Sequence, residues 1–287
     1  MDIGIVIKNM NGYFYVQDDR GTVHECKVRG RLKQKRYSLL VGDKVEFTAA
    51  DGAIESILPR QNQLKRPAVA NLDQVILVVA AHEPDINALL LDKLLVMIEH
   101  ANIPIKLCIN KCDLADACTD ELVNRYEDIG YTVLRTSTYN KTGIAELRQL
   151  LQGKLSAFAG PSGVGKSSLL NAIEPNFEFQ TGKVSDKIKR GRHTTRHASL
   201  FSLDEYSFIM DTPGFSAIDF SDISLEELIP LFPEFITYGE GCKFSPCYHE
   251  HEPICSVKEA LASNAISESR YHSYLVIREE IKQQKKY

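Results

Sequence analysis

At 287 residues the chain is long enough for two or three domains. Its 44% hydrophobic and 25% charged residues fit a folded protein with a sizeable core, and no apolar run approaches the roughly 20 residues that a membrane-spanning helix needs. The net charge of −4 is segregated: residues 1–66 carry 12 Lys and Arg against 8 Asp and Glu, a net of +4, so the remainder carries about −8.

The first residues, Met1-Asp-Ile-Gly-Ile-Val-Ile, lack a basic segment, a long apolar stretch and a small-residue cleavage site, so a cytoplasmic chain is expected. Five short strands punctuated by turns follow, at Gly4–Asn9, Gly12–Gln17, Thr22–Val28, Asp43–Thr48 and Gly52–Leu58, which predicts a small barrel of the OB type over residues 1–66. Arg29, Arg31, Lys33, Lys35 and Arg36 crowd one loop, and Tyr13, Phe14, Tyr15 and Tyr37 offer stacking faces nearby, a combination suited to RNA. The opposing view is a solvated loop and tyrosines that fill the barrel.

A break near Pro67 opens a second domain, expected over residues 67–220. Asn71–Ala80 is apolar enough for a buried strand, and Ile86–His100 has apolar residues at helical spacing, with Leu89, Leu90, Leu91, Leu94, Leu95 and Met97 expected in the core. Alternating strands and helices then predict a mostly parallel sheet covered on both faces. After the strand Ile103–Ile109 comes Asn110-Lys111-Cys112-Asp113. Asp113 is suited to accept from both N–H groups of guanine, Asn110 to bond its major-groove edge, and the Lys111 stem to cover the ring. The strand Tyr131–Arg135 ends in Thr136-Ser137-Thr138, whose backbone would meet the guanine carbonyl or whose side chains would cap the helix Thr142–Leu151.

The strand Leu155–Ala159 leads into Gly160-Pro-Ser162-Gly163-Val164-Gly165-Lys166-Ser167-Ser168, which fits Gly-x-x-x-x-Gly-Lys-Ser/Thr. In that pattern backbone N–H groups cradle phosphates, Lys166 reaches the β- and γ-phosphates and Ser167 binds Mg²⁺. Tyr206–Met210 is a strand ending in Asp211-Thr-Pro-Gly214, which places Asp211 near Mg²⁺ and the Gly214 N–H near the γ-phosphate. The base-reading tetrad thus precedes the phosphate loop, the reverse of the ordinary order in a GTPase. A last domain, residues 221–287, is expected to be helical, with helices at Leu225–Phe232 and Ser267–Lys286. Cys242, Cys247, His249 and Cys255 offer three thiolates and an imidazole, a closed set for structural Zn²⁺, with His251 as a substitute for His249. The other cysteines, Cys26, Cys108, Cys112 and Cys118, are scattered and read as reduced structural residues.

With the barrel, the permuted motif order, Gly191-Arg-His193-Thr194-Thr195, Asp211-Thr-Pro-Gly-Phe215 and the Cys/Cys/His/Cys spacing in view, the chain resembles the ribosome small subunit-dependent GTPase A family, RsgA, of bacteria, over essentially its whole length. The resemblance implies hydrolysis of GTP to GDP stimulated by the small ribosomal subunit, late in that subunit's maturation, with contacts to its rRNA and none to DNA or membrane. Phe215 stands where many GTPases place a glutamine that orients water, so another group is needed. Thr195, or Thr194, is suited to complete the Mg²⁺ shell and His193 to position the water, as the resemblance also implies; the alternative is that His193 binds RNA or solvent. A GTPase acting on another RNA or protein is the competing class, and a monomer is the default. Because the phosphate-sensing segments run into the last domain, whereas the barrel enters beside the base-reading half, hydrolysis is expected to move the last domain more than the barrel.

Overall fold

The computed structural model describes residues 1–29, 38–65, 68–177, 199–211 and 218–284, with Asp211 described by its backbone alone. The strands β1 (Asp2–Met10), β2 (Tyr13–Asp18), β3 (Val23–Val28), β4 (Lys44–Thr48) and β5 (Ala53–Ile57) close into a barrel in the order β1-β2-β3-β5-β4. Alternation puts Val6, Val16, Val45, Phe47 and Ile54 inside. Asn11 and Gly12, both at positive φ, make the two-residue turn that matches the twist of β1 and β2. Phe14 packs against this interior, while Tyr13 and Tyr15 carry lysines on their rings: Lys27 Nζ lies 4.3 Å from the Tyr13 centroid and Lys8 Nζ 5.8 Å from that of Tyr15. Arg29 pairs with Asp51 and Glu55; Arg31, Lys33, Lys35, Arg36 and Tyr37 lie outside the described residues.

A small antiparallel ribbon, β6 (Gln63–Lys65) with β7 (Ala68–Ala70), spans the break that Pro67 suggested. The main sheet contains β8 (Gln74–Ala80), β9 (Ile105–Asn110), β10 (Thr132–Arg135), β11 (Leu155–Ala159), β12 (Leu200–Ser202) and β13 (Phe208–Asp211), in the order β10-β9-β8-β11-β13-β12. Only β12, at the edge, runs antiparallel to its neighbour. Period-two alternation divides the central strand between two cores: Val75, Leu77 and Val79 face one, and Ile76, Val78 and Ala80 the other. The first core is covered by α1 (Ala88–His100) and α2 (Ala117–Ile129), the second by α3 (Ile144–Leu151) and α4 (Lys166–Ile173). Both faces of the sheet are therefore dry, which explains the uninterrupted apolar runs of β8 and β11.

The C-terminal module comprises α5 (Leu225–Leu228), α6 (Pro233–Gly239), α7 (Ser256–Ala262) and α8 (Glu268–Gln284). Ser224 and Glu227 form a capping box at the start of α5. Phe232, Phe235, Tyr274, Ile277 and Ile281 fill this module's core together with Val96 of α1, so it shares its interior with the sheet domain. Its α8 packs along α1. The barrel, by contrast, meets the sheet at β12, through the bridge Lys8↔Ser199 and the packing of Ile5 and Ile7 on the sheet's first core, at the edge opposite β10. Contact thus places the barrel beside the phosphate-sensing edge and not the base-reading half; the ribbon β6–β7 stands between the barrel and β8 in the chain. Among the described residues, no helix is long and apolar enough to cross a membrane.

Candidate functional site

Five parallel strands end at one place, and the phosphate loop rises from the centre. Gly160 sits at φ 134°, where a Cβ would lie 2.0 Å from the Val78 carbonyl oxygen of the neighbouring strand. Gly165, at φ 95°, is the N-cap of α4, and a Cβ there would lie 2.4 Å from Asn110 Nδ2. Both positions therefore require glycine. Among the described residues no side chain caps α4, so the N–H groups of its first turn, in Lys166, Ser167 and Ser168, are of the kind that binds an anion. Lys166 folds back over the loop, and its Nζ donates to the Gly160 and Pro161 carbonyls at 2.8 Å each. Val164 is buried beneath the loop, while Ser162 and Gly163 form its exposed crest.

The base-reading residues are wired into this loop. Asn110 is 1% exposed; its Nδ2 donates to the Val164 carbonyl at 2.8 Å and its Oδ1 accepts from Thr136 Oγ1 at 3.1 Å. One amide hydrogen is therefore left for a ligand. Lys111 stands in the left-handed region at φ 57° and its Nζ donates to the Glu83 carbonyl. Asp113 is exposed, with Oδ1 accepting from Ser137 Oγ. The N-cap of α3 is Gly143, so Ser137 is not a helix cap: it is buried and its oxygen also accepts from the Tyr139 and Asn140 N–H groups. The Ser137 N–H is taken by the Thr142 carbonyl at 3.0 Å, whereas that of Thr138 makes no bond among the described residues. Thr136 and the loop at residues 81–87 escaped the sequence analysis; Thr136 stood in the noticed Ser/Thr run, but its bond to Asn110 is a tertiary contact. On β13, the Asp211 backbone is in register with Phe158, two residues before Gly160. The Asp211 side chain, His193, Thr194, Thr195, Gly214 and Phe215 lie outside the described residues.

About the second site, the ligand atoms of Cys242, Cys247, His249 and Cys255 all lie within 4.8 Å of one another. Cys242 Sγ is 3.9 Å from Cys255 Sγ and 3.7 Å from His249 Nδ1, which is 3.3 Å from Cys255 Sγ. A tetrahedral ion with Zn–S near 2.3 Å would place its sulfurs about 3.8 Å apart, so the set fits zinc. Burial pushes the Cys247 thiol up to about 12 and that of Cys255 upward, and it pushes His249 downward, leaving its imidazole neutral as a ligand must be. The Tyr271 hydroxyl donates to the His249 carbonyl at 2.6 Å and the His249 ring meets Phe235 edge-on at 5.5 Å, which fix the imidazole. His251 stands apart, 89% exposed beside Glu250. Cys108 is buried in β9, with its thiol likewise pushed up to about 12 by burial, whereas Cys118 is exposed on α2 instead of packed.

Residues 57–221 match the RsgA GTPase family and residues 3–55 the RsgA N-terminal domain. The chain belongs to the RsgA GTPase family. Curated relatives carry the name small ribosomal subunit biogenesis GTPase RsgA: that of Alkaliphilus metalliredigens is 45% identical with all of both chains covered, and that of Geobacillus thermodenitrificans is 46% identical with 98% of each covered. Among solved structures, YjeQ from Thermotoga maritima matches with a TM-score of 0.84 at 39% identity over 98% of each chain. YloQ, described as a circularly permuted GTPase, matches at 0.83 and 36%, over 99% of this chain and 96% of that one. Membership makes this chain a GTP hydrolase. The RsgA permutation is visible in the sheet: β9 with the tetrad precedes β11 with the phosphate loop in sequence, yet both flank β8.

Proposed function

We propose that this GTPase works on the small ribosomal subunit late in its maturation, in the cytoplasm and as a monomer, with residues 1–66 as an RNA-binding barrel, 67–220 as the GTPase domain and 221–287 as a zinc-stapled helical domain. The observation that carries the nucleotide assignment is the Asn110 bond to Val164, which makes the base-reading tetrad and the phosphate loop one cavity floor. Asp113 accepts from the guanine N–H edge, Asn110 gives its remaining hydrogen to the other edge, Lys111 covers the ring, and the backbone after Ser137 receives the carbonyl. Backbone N–H groups of Gly160 and from Ser162 to Ser168 hold the phosphates, and Lys166 exchanges the Gly160 and Pro161 carbonyls for phosphate oxygens. Ser167, Asp211 and Thr195 would hold Mg²⁺, which supplies charge stabilisation across the β- and γ-phosphates. The Gly214 N–H faces the γ-phosphate and His193 positions the attacking water. Cys242, Cys247, His249 and Cys255 would hold one structural Zn²⁺. The names of the relatives support the ribosomal partner, and the lysine-carrying tyrosines of the barrel support RNA as what it meets.

Turnover measured with small subunits, large subunits or no ribosome, across salt concentrations, tests this. Small subunits are expected to stimulate hydrolysis, and increasingly less as salt rises. Equal stimulation by both subunits would sink the partner assignment. His193→Ala is expected to remove the stimulated rate while GTP binding persists; a retained rate rejects the role of His193.

A further inference from the structure

Between β8 and α1 the chain forms a loop, residues 81–87, that walls the nucleotide site without belonging to any of its motifs. Several fastenings hold it. The Ala81 N–H donates to the Asn110 carbonyl at 2.8 Å, Lys111 Nζ donates to the Glu83 carbonyl, and Pro84 borders the phosphate loop, its Cδ 3.6 Å from the Cβ position of Gly163. A further fastening is His82. Its Nδ1 lies 2.9 Å from Asp85 Oδ1, in the same loop, and its Nε2 lies 3.2 Å from Asp116 Oδ2. Asp116 is the N-cap of α2, three residues beyond Asp113, and its other oxygen accepts from the Thr119 N–H at 2.9 Å.

A carboxylate on each ring nitrogen satisfies an imidazole only when both nitrogens carry hydrogen. In the neutral ring one nitrogen turns a lone pair toward a carboxylate, and that contact becomes repulsive. We propose that His82 is a positioning residue for the nucleotide: its imidazolium ties the loop at residues 81–87 to the cap of α2, and so sets how firmly the Glu83 carbonyl holds Lys111 over the guanine. The proposal rests on the assignment of the tetrad as the guanine site.

Among the described residues Asp85 and Asp116 are the charged groups that face the ring; Lys111 reaches the same loop, but its ammonium is bonded to the Glu83 carbonyl. The two carboxylates hold the His82 pKa above that of an ordinary histidine, against the opposing effect of desolvation. Hydrogen bonds from the Thr119 N–H and hydroxyl, and then from His82, hold the Asp116 carboxyl below the usual range. Because the His82 pKa is raised, its contribution is complete below about pH 6.5 and is lost as pH rises through its elevated folded value. Because the Asp116 pKa is depressed, its contribution is complete above about pH 4 and is lost as pH falls through its folded value. The clamp is therefore closed at mildly acidic pH and opens as pH rises through the folded pKa of His82.

The test is the dissociation rate of a fluorescent GDP analogue from the full-length protein across pH, in the wild type, His82→Gln, His82→Arg and Asp116→Asn. The nucleotide's own titration is common to all four and cancels. Wild-type release is expected to quicken about two- to fivefold on raising the pH, the range of an exposed ion pair. His82→Gln should show the fast rate throughout, and His82→Arg, permanently charged, the slow one. The imidazole proton resonance of His82 should titrate above the ordinary histidine value and move down in Asp116→Asn, a readout independent of nucleotide. If His82→Gln keeps the wild-type pH profile, or the resonance is unmoved in Asp116→Asn, the proposal is overturned while the guanine site stands. If GDP fails to bind, or Asp113→Ala leaves its affinity unchanged, the site assignment and the proposal fall together.

Discussion

The C-terminal module grips the sheet domain through buried charge, whereas the barrel touches it through a few backbone and apolar contacts. On α8, the Arg270 side chain is 1% exposed; it donates to Asp92 Oδ1 of α1 at 2.6 Å and to both oxygens of Glu234 on α6 at 2.7 and 3.0 Å. Tyr126 of α2 donates to the same Asp92 oxygen at 2.6 Å, and Phe232 stacks 4.5 Å from the guanidinium. Such a network has one good geometry, because a slip in any direction strands a charge in a dry interior. The barrel hangs from the ribbon by one main-chain bond, Ala70 N–H to the Val41 carbonyl at 2.9 Å, and one side-chain bond, Asn71 Nδ2 to the Gly42 carbonyl at 3.0 Å; it bridges β12 at Ser199 and lays Ile5, Ile7 and Val41 against the sheet's first core. The two modules are thus mounted differently, one as a bracket and the other as a hinge.

The largest expected break of this contrast comes from the metal. A structural zinc contributes on the order of 10 kcal/mol to folding in small zinc modules, and here the module's aromatic core is built around His249. Cys247→Ser, or a strong chelator, is expected to unfold α5 to α8 and release Arg270 from Asp92, while the barrel stays closed. Hydrogen exchange would show protection lost in residues 218–284 and retained in β1 to β5. Loss of protection in the barrel as well would mean that the two mounts are not independent.

Removing the bracket alone should cost less. Arg270→Ala leaves Asp92 and Glu234 buried without their cation, at an expected cost of about 3 to 5 kcal/mol. Adding Asp92→Asn and Glu234→Gln, with Met at position 270, removes the stranded charges and should recover part of that loss. Denaturant unfolding of the single and triple variants decides it. A single variant within about 1 kcal/mol of the wild type, the range of a surface pair, would show that the network is no bracket.

These mounts also mark where sequence reasoning stops. Strand β11 is legible to the residue, because an apolar run ends abruptly at Gly160, and the zinc set is legible because thiolates and an imidazole at short spacing have few other uses. Helix α2 is not, since only Thr119, Val123 and Tyr126 of its residues are buried and the apolar stripe is thin. Arg270 within a polar helix looks like a solvated residue; only the approach of α1 and α6 buries it. The loop at residues 81–87 carries no motif, and its place beside the tetrad follows from the Ala81 bond to Asn110, which joins residues 29 positions apart. Local chemistry is written in the sequence, but the partners of a side chain across an interface are not.

The smallest expected effect is also the one that turns most directly on the contrast. Motif order alone suggested that hydrolysis would move the C-terminal module more than the barrel, since that module follows Gly214. The mounts argue the reverse. Strand β12 begins directly after the segment that holds His193 and Thr195, and Ser199 at its entrance bridges Lys8 of the barrel. A pull on that segment reaches the barrel directly at that bridge, where a ribbon and a few apolar contacts resist it, while α8 is held to α1 by Arg270 and, beside it, by Lys93 to Glu280 at 2.5 Å. Distances measured in solution from the barrel to α3 and from α8 to α3, with GDP and with a non-hydrolysable GTP analogue, should differ between the two nucleotides for the barrel and stay fixed for α8. In Arg270→Ala the α8 distance should begin to vary too. Movement of α8 with a stationary barrel, in the wild type, would show that the direct chain connection through residues 212–217 outweighs the buried charge.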